Sequence, residues 1–139
     1  AGRRIGFCIG SEKLIRYLND VKFSFYSYTM NLPSQILGAE AVRDDAYFRE
    51  TTAKIIATRE RVKVELKKLG FSFPDSRTNF IFATHESIPA EQIFRALRQE
   101  DIYVRHWNKS RISEYLRITV GTDEEMDRLL DFLKSYVNK

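Results

Sequence analysis

The sequence predicts an α+β fold: a small, mostly antiparallel sheet with helices on one face, preceded by a strand and further helices. Three observations predict it. In "YLRITV", Leu116, Ile118 and Val120 alternate with Arg117 and Thr119, the pattern of a half-buried strand. From Gly70 onward the elements read strand, helix, strand, strand, helix, and the polar loop "NKSRISE" between the last two strands is short enough for an antiparallel pair. Ahead of them runs one long helical stripe: Phe48, Thr52, Ile55, Arg59, Val62, Leu66 and Leu69.

Taken in order, Ile5, Phe7 and Ile9 alternate as a first strand. Ser11 is a candidate N-cap for a short helix with Leu14, Ile15 and Leu18 on its apolar side. The aromatic segment "NDVKFSFYSYTMNLP" lacks a helical stripe and reads as an irregular connection up to Pro33. A helix is expected from Ser34 to about Val42. The long helix, expected over 46–69, spans roughly 35 Å at about 1.5 Å per residue, enough to link two bodies. Its stripe is interrupted by the polar Thr52 and Arg59, and Gly70 suits its C-terminal end. A strand is expected over 78–83. A helix opened by Pro89 in its first turn follows, with Ile93, Phe94 and Leu97 inward. "DIYVRHW" reads as a short strand. Thr122 and Glu125 have the spacing of a capping box at the head of a last helix that buries Met126, Leu129, Leu130, Leu133 and Val137.

Composition narrows the function. The 139 residues are 43% apolar and 13% aromatic, enough for a real core in one domain or one domain and part of another. No apolar run nears membrane-spanning length and no leader pattern is visible, so a cytoplasmic protein without a membrane partner is expected. A net charge of +4, with both signs interleaved, gives little support for a nucleic-acid partner. One cysteine, Cys8, excludes an internal disulfide, and no cluster has metal-ligand spacing. Cys8 is expected as a structural thiol. His85 and His106 lie near no nucleophile signature and are expected as loop residues. Gly2, Gly6 and Gly10 are too scattered for a phosphate-binding loop.

What remains is arginine: Arg3 and Arg4 at the start, Arg105 after "IYV", and Arg117 inside the strand "YLRITV". Each reads either as a solvated surface charge or as an anion ligand. The guanidinium fork suits carboxylate and phosphate alike and stays charged at any working pH.

"AGRRIGF", "FYSYTMNLPSQ", "TNFIFA", "IYVRHWN" and above all "YLRITVGTDEEMDRLLDFL" occur in order along essentially the whole chain. Together they resemble the C-terminal third of a class I/II, fold-type I pyridoxal-phosphate aminotransferase, most closely the histidinol-phosphate aminotransferase family. The resemblance implies that Arg4 binds the phosphate of pyridoxal 5'-phosphate, Arg117 pairs with a substrate carboxylate and Arg105 faces the substrate's phosphate end. It implies a homodimeric enzyme of histidine biosynthesis that exchanges an amino group between histidinol phosphate and 2-oxoglutarate. It also implies that residues 1–45 are the tail of a large α/β cofactor domain and 46–139 a linking helix plus small domain. The Schiff-base lysine of such enzymes would lie just upstream of Ala1, and Lys13, Lys22 and Lys54 do not match it, so no catalytic residue is assigned. The start without Met, close to a strand, predicts a fragment that is inactive alone, with exposed apolar surface near Ile5, Phe7, Phe23 and Phe25.

Competing readings are a relative acting on aromatic amino acids or aspartate, a decarboxylase of the same fold, and a free-standing amino-acid-binding module. A nucleic-acid binder would show steep salt dependence.

Overall fold

A computed structural model describes residues 5–137. The chain divides into two compact units, Ala1–Phe48 and Arg49–Lys139.

In the first unit, α1 (Glu12–Phe25) starts where Ser11 accepts a hydrogen bond from the Leu14 N–H, as its sequence expects. It runs farther than expected, to Phe25 in the aromatic segment read as irregular, while residues 26–31 of that segment are irregular as expected. Nothing between Leu18 and Phe25 breaks a helix: neither proline nor glycine interrupts it, and Lys22 in the last turn suits the negative end of the dipole. Asn31 caps α2 (Leu32–Arg43), which carries its proline in the first turn.

The first strand expected over Ile5–Ile9 is not formed; residues 5–10 have no regular structure. Alternation supplies a strand face but not a partner, and among the described residues of this unit no second strand offers one. Cys8 is exposed rather than structural. Neither α1 nor α2 buries a residue. Phe7 and Phe25 are each 91% exposed, and Ile5 and Phe23 are also on the surface, as expected.

The helix α3 (Asp45–Lys68) matches the long stripe closely. Its C-terminal half enters the core of the second unit with Val62 and Leu66. Gly70, at φ +80°, turns the chain out of the helix into β1 (Phe71–Ser72). β1 is a strand too short to show a period in sequence. The remaining elements are β2 (Phe80–His85), α4 (Ala90–Gln99), β3 (Arg105–His106), β4 (Leu116–Thr119) and α5 (Asp123–Val137). The sheet order is β1-β2-β4-β3, and each neighbouring pair is antiparallel. Ile102–Val104, expected within a strand, lie outside β3. The expected fold class, an antiparallel sheet with helices on one face, is the one formed.

One sheet face is dry. Ile81 and Ala83 of β2 and Leu116 and Ile118 of β4 join Val62, Leu66, Ile93, Leu97, Leu129 and Leu133 from the three helices in one buried cluster. Polar side chains brace its rim. Arg59, which interrupts the stripe, is 7% exposed and donates to the Thr78 carbonyl at 3.0 Å. Lys63 bridges Glu60 and Asp75 at 2.8 and 2.6 Å. Arg61 and Thr58 both hold Asp123 at the head of α5. There the capping box closes, Thr122 N–H donating to Glu125 at 2.8 Å and Glu125 N–H to the Thr122 hydroxyl at 3.3 Å.

These contacts set a pH response. Hydrogen bonds from Lys63 hold the Asp75 and Glu60 carboxyls below the usual carboxylate range, and Arg61 does the same to Asp123. A carboxyl lowered by folding stabilises the fold above its unfolded value, about 4, and the contribution falls away as pH drops through the folded value. Lys63 is raised, chiefly by Asp75, so its contribution is present below the unfolded lysine value of about 10.4 and is lost as pH rises past the folded one. The urea midpoint should therefore be flat across neutral pH and fall below about pH 4. Asp123→Asn should flatten the acid limb; an unchanged limb contradicts the assignment. Leu129→Ala, at 1% exposure in the centre of the core, should cost about 2–5 kcal/mol in the same assay, and a loss below about 1 kcal/mol would contradict that placement.

Candidate functional site

The second face of the sheet is the chemically loaded one. Strand alternation is strict: because Leu116 and Ile118 enter the core, Arg117 must point the other way. In the register, Arg117 stands opposite Phe82 on one side and opposite Arg105 on the other. A row of Phe82, Arg117 and Arg105 therefore crosses three strands on one face. Of the four sequence-expected arginines, the structure brings Arg105 and Arg117 together. Arg3 and Arg4 lie outside the described residues.

Like charges directly opposite each other in an antiparallel pair repel. Among the described residues, no carboxylate forms an ion pair with Arg105 or Arg117. The Nε of Arg117 is buried and lacks a hydrogen-bond partner. A buried donor without an acceptor costs about 1–3 kcal/mol. What Arg117 does have is aromatic: its guanidinium carbon is 4.4 Å from the Phe80 ring centre and 5.4 Å from that of Trp107. Arg105 is 5.5 Å from the same Trp107 ring. Phe82 stacks on Tyr115 at 4.6 Å, nearly parallel, and meets Trp107 edge-on at 6.5 Å.

The aromatic members were not expected from sequence. A signal exists for three of them: Tyr115 is two residues before Arg117, and Phe80 and Phe82 have the alternation of an outward strand face. Trp107 follows β3 and carries no periodic signal. The histidines are strand-end residues rather than loop residues, and both rings hold backbone. His85 accepts from the Ser87 and Ile88 N–H groups through Nδ1 and donates from Nε2 to the Leu69 carbonyl at 2.9 Å. His106 donates to the Ser113 carbonyl at 2.7 Å. No group of residues among those described has the makings of a metal site, and no described helix is long and apolar enough to cross a membrane.

An α+β domain with two guanidiniums that lack a carboxylate partner on an aromatic sheet face has donors that suit the class of small carboxylate or phosphate ligands. The comparisons narrow that class. The profile of the family described as aminotransferase class I and II matches residues 1–133, and the chain belongs to that family. It is 48% identical over 134 residues to the histidinol-phosphate aminotransferase of Brachyspira hyodysenteriae, covering 96% of this chain and 38% of that protein. It is 46% identical over 139 residues to the histidinol-phosphate aminotransferase of Clostridium botulinum strain Okra, covering 100% of this chain and 39% of that one. Among solved structures it resembles the histidinol-phosphate aminotransferase of Clostridium acetobutylicum, with a TM-score of 0.63 and 26% identity over 68% of this chain and 30% of that one. The chain thus spans less than two fifths of the length of the curated relatives it matches.

The facing charges give a direct test. Arg105→Gln removes the repulsion in the unliganded protein and should raise stability by about 0.2–1 kcal/mol, read as the urea midpoint without added anions. A clear loss of stability would mean that Arg105 is held by a favourable partner.

Proposed function

We propose that this chain is the C-terminal part of a pyridoxal-phosphate-dependent aminotransferase that transfers the amino group of histidinol phosphate to 2-oxoglutarate. The observation that carries the reading is the pair Arg105 and Arg117, opposite each other and without a carboxylate partner among the described residues. Both co-substrates are anions: histidinol phosphate bears a phosphate monoester, 2-oxoglutarate two carboxylates. Arg117 pairs with a carboxylate of 2-oxoglutarate; histidinol phosphate has no carboxylate, and its phosphate ester, on the carbon where an amino acid carries that group, faces Arg105 and Arg117 together. The near-half sequence identity to histidinol-phosphate aminotransferases supports this choice of substrates over aspartate or an aromatic amino acid.

The residues fit an anionic ligand. The buried Nε of Arg117 is a donor lacking an acceptor, and a bidentate carboxylate supplies one. Arg4 would hold the cofactor's phosphate. When bound, the cofactor supplies the electron sink that amino-group transfer needs. This chain's own contribution is binding and orientation. A fixed guanidinium pair orients the substrate's charged ends, and the Phe80, Phe82 and Trp107 rings lower the local polarity, which strengthens each charge contact. No lysine of this chain is assigned the proton transfer. The reading extends to a homodimer in the cytoplasm, with the rest of the polypeptide covering the exposed apolar residues of Ala1–Phe48.

Two outcomes follow. In the full-length enzyme, Arg117→Ala should lower kcat/KM by about 10- to 100-fold, the worth of a charged hydrogen bond, while the melting temperature stays within a few degrees. Wild-type kinetics would sink the assignment. The 139-residue chain alone should transfer no amino groups, bind hydrophobic dye and associate in sedimentation. A clean monomer that takes up no dye would contradict the placement of Ala1–Phe48 against further chain.

A further inference from the structure

Trp107 is the only tryptophan in the chain, and it is half-buried at the end of β3. Its ring lies 5.5 Å from the Arg105 guanidinium and 5.4 Å from that of Arg117. Among the described residues it is therefore the one aromatic ring shared by the two cations. Phe80 meets only Arg117. Trp107 is itself held: Phe82 meets it edge-on, and Phe82 is fixed by its stack on Tyr115. The two guanidiniums stand on directly opposed residues, so repulsion acts to spread them. Among the described residues no carboxylate forms an ion pair with either of them. The negative face of an indole opposes the spreading, because it attracts both cations, and tryptophan is the strongest side chain for the purpose.

We propose that Trp107 is a positioning residue that holds Arg105 and Arg117 side by side as one binding unit for a phosphate-bearing substrate. This rests on the reading of those arginines as the substrate's anion ligands and adds what sets their spacing. Without the shared ring, each arginine samples several rotamers, and a ligand must order both on binding. Affinity for the phosphorylated substrate then falls, while the chemical step on bound substrate is little changed. A plain packing role predicts something else: any large apolar side chain would serve, and the effect would appear in stability instead of in binding.

The test uses the full-length enzyme with Trp107→Leu and Trp107→Phe, and with Arg105→Gln as a reference. Three quantities are measured: KM for histidinol phosphate, kcat, and the calorimetric affinity for inorganic phosphate. Trp107→Leu should raise KM and weaken phosphate binding by the same factor, about three- to tenfold, as expected for loss of a partly desolvated cation–π contact, with kcat within about twofold. Trp107→Phe, which keeps an aromatic face, should recover most of the loss. If Trp107→Leu binds phosphate like the wild type, or if phenylalanine rescues no better than leucine, the positioning role is overturned. If Arg105→Gln also leaves phosphate affinity and KM unchanged, the underlying reading of the arginines fails as well, and the two failures are thus distinguished. Should the leucine variant not fold, the unaltered protein decides. The Trp107 indole N–H resonance, assigned by its disappearance in Trp107→Phe, should shift on phosphate titration with the calorimetric midpoint. A resonance that stays put while heat is evolved overturns the proposal.

Discussion

The two-residue period of β4 is the constraint on which the rest depends. Leu116 and Ile118 are each 1% exposed, packed beneath the helices. With those two fixed, Arg117 has only the opposite face available. A slip of one residue would put a guanidinium into the core and two large aliphatics into water, a change far larger than the net stability of a domain this size. The neighbours on both sides pin the strand as well: β2 brings Phe82 beside Arg117 and β3 brings Arg105. Core packing on one face thus fixes the charge arrangement on the other. The domain keeps a repulsive pair of cations because its hydrophobic face leaves them no other position.

The rim of the core carries a second kind of organisation. Cations on α3 reach to its surroundings in turn: Arg59 to the Thr78 carbonyl, Arg61 to the start of α5, Lys63 to Asp75. These cations have acceptors, whereas Arg105 and Arg117 have none among the described residues. The contrast within one small domain is informative. Where charge serves the fold, the chain supplies its partner. On the other sheet face, no carboxylate among the described residues pairs with Arg105 or Arg117.

Much of this was legible in the sequence, and the limits have physical causes. The long helix, the capping box of Thr122 and Glu125 and the alternation of β4 are local patterns, and each formed where its residues indicated. The arginine in β4 was visible as an anomaly before any fold was known. The first strand failed because strands are not local: Ile5, Phe7 and Ile9 have the period but no neighbouring strand among the described residues. α1 outran its expected end because aromatic residues at no clear period still tolerate helix when nothing breaks it. Trp107 was invisible as a site member because its role depends on two residues brought together by pairing in the sheet. Arg4, whose expected role comes from resemblance, lies outside the described residues.

The most direct test of the account is a crystal structure of the full-length protein with histidinol phosphate bound. The Nε of Arg117 and the guanidinium of Arg105 should both donate to oxygens of bound ligand, with the Trp107 ring still against the two arginines. If Arg117 Nε is instead satisfied by a carboxylate of the protein's own remaining chain, the unpaired donor is a property of this part alone and the anion site falls.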